Sequence, residues 1–160
     1  MRIASPVSGV WEPYVTDDHL DLVDWNHFER SRAELGPGFI RILTYFREDG
    51  IKSVRAIEAA MHEQNSVALV IPAHTLKGES MQFGAGPLAD VAETIEATAR
   101  SSIETHRFPD ELVPDVVRLR QLFDATIDLF DKATNPLLVR SNQNFGKKTG
   151  AANNQSFGRI

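Results

Sequence analysis

The stretch from residue 66 to residue 96 reads SVALVIPAHTLKGESMQFGAGPLADVAETIE, and its spacing decides the fold. At about 100° per residue, Leu69, Ala73, Leu76, Ser80 and Phe83 fall within about 40° of one line. That stripe predicts a helix from Ser66 to about Phe83 with these five residues facing a core. Asn65 and Ser66 supply side chains suited to capping its start. The Gly84–Gly86 break ends it, and Pro87 suits the first turn of a following helix through Leu88, Val91, Ile95 and Thr98. Two helices joined by so short a break pack antiparallel.

The same reading extends in both directions. Asp24 is a good N-cap for a helix through Trp25, Phe28 and Arg32 that stops at Gly36–Gly38. Phe39, Ile42, Leu43, Phe46, Val54, Ile57, Ala60 and Met61 recur at helical spacings, with Gly50 as a point of bending or interruption. Pro109 and Asp110 open a last segment, with Val113, Val116, Leu119, Phe123, Ile127 and Phe130 along one side. Strand-like alternation is not sustained anywhere, and no repeat of fixed period is visible. The expectation is an all-α protein: an antiparallel four-helix bundle with an additional N-terminal helix. Residues 24–134 form the bundle, 1–23 an N-terminal extension, and 135–160 a disordered basic tail.

Composition narrows the function. Of 160 residues, 42% are hydrophobic and 24% charged, the balance of an ordinary globular domain. No cysteine is present, which removes disulfides and thiolate metal sites and suits a cytoplasmic protein. The opening MRIASPVSGVWEPY lacks a continuous apolar run, so neither a leader peptide nor a membrane anchor is expected. The net charge is −5, yet from Lys132 onward every charged residue is basic, so the body is strongly acidic. An acidic body argues against nucleic acid as the ligand, because phosphate backbones demand a basic face.

His74 is where the chemistry concentrates. It lies about 140° from the core line, and Gly78 lies almost opposite that line, one turn later. Val67, Val70, Ile71 and Met81 share the outer side of the helix, which makes it apolar on two faces. Either another element such as the N-terminal helix covers this second stripe, or the stripe is exposed as a partner site. A neutral imidazole keeps one nitrogen lone pair as a nucleophile. Lys77, three residues on, places an ammonium where it can neutralise phosphoryl oxygens. Gly78 leaves the space beside the ring empty, at a cost of about 1 kcal/mol against alanine in mid-helix.

Taken together, His74-Thr75-Leu76-Lys77-Gly78, the small-residue stretch after it and Gly84-Ala85 resemble the signature of histidine-containing phosphotransfer (HPt) domains. Leu88, Ala92, Ile95 and Glu96 continue the match into the next helix. The resemblance is specific over about thirty residues and general elsewhere. It implies a four-helix bundle that accepts a phosphoryl group on His74 from a receiver-domain phospho-aspartate and relays it to another receiver. Lys77 would stabilise the phosphoryl group and Gly78 would clear space for it. The helical wheel adds Val67, Val70, Ile71 and Met81 as an apolar docking rim. The receiver would bring its own Mg²⁺, so no metal or cofactor is expected on this chain. Expected partners are response-regulator receivers and a hybrid or separate histidine kinase, and the expected state is a monomer.

Two residues depart from the family pattern. Glu79 stands where a small residue is usual, on the side away from Lys77, where it is either solvated or adds negative charge beside the site that influences partner choice. Pro72 removes a backbone N–H two residues before His74, which predicts a kink or a later helix start. Other classes fit less well. A sensor-kinase phosphoacceptor module would carry an acidic residue after the histidine, and no segment after residue 100 resembles an ATP-binding domain. His19, His27, His62 and His106 lack the spacing of a helical metal site. The remaining alternative is a helical adaptor that binds receiver domains or other signalling proteins without transfer.

Overall fold

The computed structural model describes residues 21–135 and residue 137. Five α-helices follow one another: α1 (Trp25–Leu35), α2 (Phe39–His62), α3 (Ser66–Gln82), α4 (Gly86–Thr105) and α5 (Val113–Thr134). Short 3-10 turns at Gly36–Gly38 and Asp110–Leu112 lead into α2 and α5. Helices α2 to α5 form the expected antiparallel bundle and α1 is the additional helix. No strand occurs among the described residues. Most of the extension and tail assigned to residues 1–23 and 135–160 lies outside the described residues, although Val23 is buried in the core.

Local chemistry sets the helix ends. The Asp24 carboxylate accepts the His27 backbone N–H at 2.9 Å, and the Asn65 side chain accepts that of Ala68 at 3.1 Å. Both satisfy donors that a helix N-terminus leaves open. At the end of α3, Ala85 N–H donates to Ser80 O at 2.9 Å across Gly84, whose φ is +76°. A Cβ on Gly84 would also stand 2.8 Å from the Asp24 carbonyl oxygen, so glycine is required there twice over. Pro72 does not delay α3, which starts at Ser66 and runs through it. Gly50 does not interrupt α2 either. It is buried, and a Cβ on it would stand 2.4 Å from Phe123 Cε2, so the glycine lets α2 and α5 approach closely.

The core runs along the bundle through Val54, Ile57, Leu69, Leu76, Ile95, Leu112 and Leu119. It ends in six phenylalanines, Phe28, Phe39, Phe46, Phe83, Phe123 and Phe130, with neighbouring ring centroids between 4.8 and 6.1 Å apart. Burying each contributes about 2 kcal/mol through lost apolar surface. Helix α1 docks at this end. Asp24 N–H donates to Gly84 O at 2.8 Å, Ser31 Oγ to Gln82 O at 2.7 Å, and His27 Nε2 meets the same Gln82 oxygen at 3.2 Å. Phe28 stacks on Phe130, and Arg32 Nη2 donates to Ala133 O at 3.3 Å, so α1 also ties to α5.

Candidate functional site

His74 lies mid-way along α3 with its side chain 63% exposed. Beneath it, on α4, is Glu96, a carboxylate buried on the inner face of that helix. His74 Nδ1 is 3.0 Å from Glu96 Oε1. Arg100, one turn along α4, donates to the same oxygen through Nε at 3.1 Å and Nη2 at 2.9 Å. Lys77 Nζ stands 2.8 Å from the other oxygen, Oε2, and 4.0 Å from Glu93 Oε1. One buried carboxylate therefore gathers an imidazole and two cations from two helices.

The charges fix the protonation pattern. Glu96 titrates at about 2, held down first by the Lys77 ammonium and further by Arg100 and His74, against the opposing effect of burial. An ionised carboxylate only accepts hydrogen bonds, so Nδ1 of His74 must carry the proton in the contact with Oε1. The lone pair of a neutral ring then resides on Nε2. Glu96 selects the tautomer and holds the ring, as carboxylate partners of functional histidines do elsewhere.

The remaining expectations divide. Gly78 has no heavy atom within 4 Å of where a Cβ would sit, apart from its own helix, so it is open to approach. Val67, Ile71 and Met81 are exposed at 66%, 76% and 59%. Helix α1 does not cover them, because it docks at the turn after Gln82. Val70 requires a correction: it is buried in the core cluster and belongs to no exposed rim. It lies two turns before Lys77 on nearly the same line of α3, the flank that faces α4, and that flank is covered. Glu79 is half-buried rather than freely solvated. Its Oε2 is enclosed without a hydrogen-bond partner, and desolvation and the charge of Asp49 push its carboxyl above the usual range.

Sequence reading missed Glu96 as a working residue, and Arg100 with it. The available signal was an acid in register with the apolar positions Ala92, Ile95 and Ala99, carrying a basic residue four places on. Among the described residues no group of three His, Asp or Glu side chains could hold a metal ion, and no helix is long and apolar enough to cross a membrane.

A helical bundle with an exposed imidazole, a carboxylate behind it and an ammonium beside it suits histidine phosphotransfer. The Hpt domain model matches residues 41–128, and the chain belongs to that family. It is an intermediary of histidine phosphotransfer in two-component phosphorelays, and proteins of this kind interact with receiver domains and kinases. Among solved structures, the chain is similar to histidine-containing phosphotransfer protein B (HptB) from Pseudomonas aeruginosa PAO1. That match has 23% identity and a TM-score of 0.61, over 70% of this chain and 93% of the other. At that identity the likeness concerns the fold. A search of curated proteins returned no match.

Proposed function

We propose that His74 is the residue that carries the phosphoryl group, through Nε2. The observation that carries this reading is the Nδ1–H···Glu96 contact at 3.0 Å on a side chain otherwise open to solvent. The Nε2 lone pair attacks the phosphorus of a receiver's aspartyl phosphate. The Nε2–P bond forms as the P–O bond to the aspartate breaks, and that electron pair returns to the aspartate carboxylate. The ring keeps its Nδ1 proton and becomes an imidazolium, whose new positive charge faces the Glu96 carboxylate. No proton has to move, and the reverse reaction follows the same path.

Lys77, one turn from His74 on α3, is the cation that meets the phosphoryl oxygens, and Gly78, with open space beside it, leaves room for them. The receiver docks on Val67, Ile71 and Met81, without Val70. It brings the aspartate and the Mg²⁺ that receivers use, so this chain needs no metal or ATP-binding domain of its own. The partners are response-regulator receivers and a hybrid or separate histidine kinase, and the protein works as a cytoplasmic monomer.

The test is transfer from a phosphorylated receiver to the purified protein, beside a His74→Ala variant. An acid-labile, alkali-stable label on the wild type that is absent from the variant is expected. Equal labelling of both, or no label from a broad panel of receivers, overturns the assignment.

A further inference from the structure

In the resting site Lys77 is engaged by two carboxylates. Its ammonium lies 2.8 Å from Glu96 Oε2 and 4.0 Å from Glu93 Oε1, and its side chain is largely enclosed at 23% exposure. A phosphoryl group on Nε2 would compete with both carboxylates for this ammonium, and would draw it from them. The two are left in different situations. Glu96 keeps Arg100 on Oε1 and acquires the imidazolium of the phosphorylated ring. Glu93 keeps nothing, because among the described residues Lys77 is the only cation within 4 Å of it.

From this asymmetry we infer that Glu93 is a positioning residue that competes for Lys77 and sets how strongly the protein retains the phosphoryl group. The inference rests on His74 being the acceptor. Glu93 is exposed and touches neither the ring nor the acceptor nitrogen in the described contacts, so it acts through Lys77. It penalises the phosphorylated state and favours passing the group on to a receiver carboxylate. A neutral residue in its place gives a protein that holds its phosphoryl group longer.

The experiment is the equilibrium of phosphoryl transfer between the full chain and one receiver, measured at low and high salt for wild type, Glu93→Gln, Glu93→Asp and Asp90→Asn. Glu93→Gln is expected to raise the phosphohistidine share by about two- to fivefold, the range an exposed ion pair commands, with most of the gain lost at high salt. Glu93→Asp should restore much of the wild-type balance. Asp90→Asn, an exposed acid one turn earlier that has no ion-pair contact with Lys77 among the described residues, should leave it unchanged. In a Lys77→Met background, Glu93→Gln should have little further effect. An unchanged equilibrium in Glu93→Gln overturns the inference, as does an equal shift with and without Lys77. Absence of any label on the wild type would instead sink the assignment of His74.

Discussion

Replacing Glu96 by Gln removes the charge from the middle of the site while keeping an oxygen that can accept from His74 Nδ1. The structure sets the size of the effect. A carboxyl that titrates near 4.5 when free and at about 2 here is stabilised as its anion by at most about 3 kcal/mol. Solvent around Lys77 and Arg100, at 23% and 57% exposure, screens part of this and brings the expected contribution to about 1–2 kcal/mol. The folded-state value lies below the unfolded one, so the contribution is fully present above the unfolded value. It is lost as pH falls from about 5 to about 2. Urea unfolding of wild type and Glu96→Gln, followed by circular dichroism from about pH 7 to about pH 2.5, isolates it. The variant should be less stable at neutral pH by about 1–2 kcal/mol, and the two curves should converge in acid. A gap that stays constant across the range would refute the reasoning and assign Glu96 a packing role alone. The same variant should transfer phosphoryl about tenfold more slowly, since the imidazolium loses a charged acceptor worth about 1.4 kcal/mol.

Two glycines give opposite outcomes. Gly78→Leu meets open space, so the fold should gain about 0.5–1 kcal/mol of helix propensity while phosphotransfer drops at least about tenfold through obstruction of the ring. Transfer at the wild-type rate would show that the space beside His74 is not used. Gly50→Ala should cost about 1–3 kcal/mol in thermal unfolding despite its better propensity, because Phe123 stands 2.4 Å from the new carbon. A neutral or stabilising result would mean that α2 and α5 separate at little cost.

The helix ends were readable because their determinants are local: Asp24 and Asn65 cap the next turn, and Gly84 adopts a positive φ that other residues resist. His74, Lys77 and Gly78 were readable for the same reason, since i, i+3 and i+4 spacings on one helix fix their mutual placement. Glu96 was not, because its role depends on the rotation of α4 against α3, which no spacing within either helix specifies. Val70 was misplaced by a related simplification. A wheel with one core line suits a helix with a single neighbouring face, whereas α3 packs between α2 and α4 and is covered over a much wider arc. Glu79 lies on the opposite flank, toward Asp49 of α2, and is half-buried for the same reason.

The contact between Phe28 on α1 and Phe130 on α5 joins residues a hundred positions apart, and it closes the described fold into a ring. The junction sits beside Phe83, nine residues from His74 and so about 14 Å further along α3. Beginning and end of the fold thus meet at a distance from His74. Sequence neighbours α2–α3 and α3–α4 form from nearby chain, while this closure has the largest loop to draw in and is the natural last step of folding. A rearranged gene that linked the two ends and opened the α4–α5 connection would reorder assembly yet keep the Nε2 face whole.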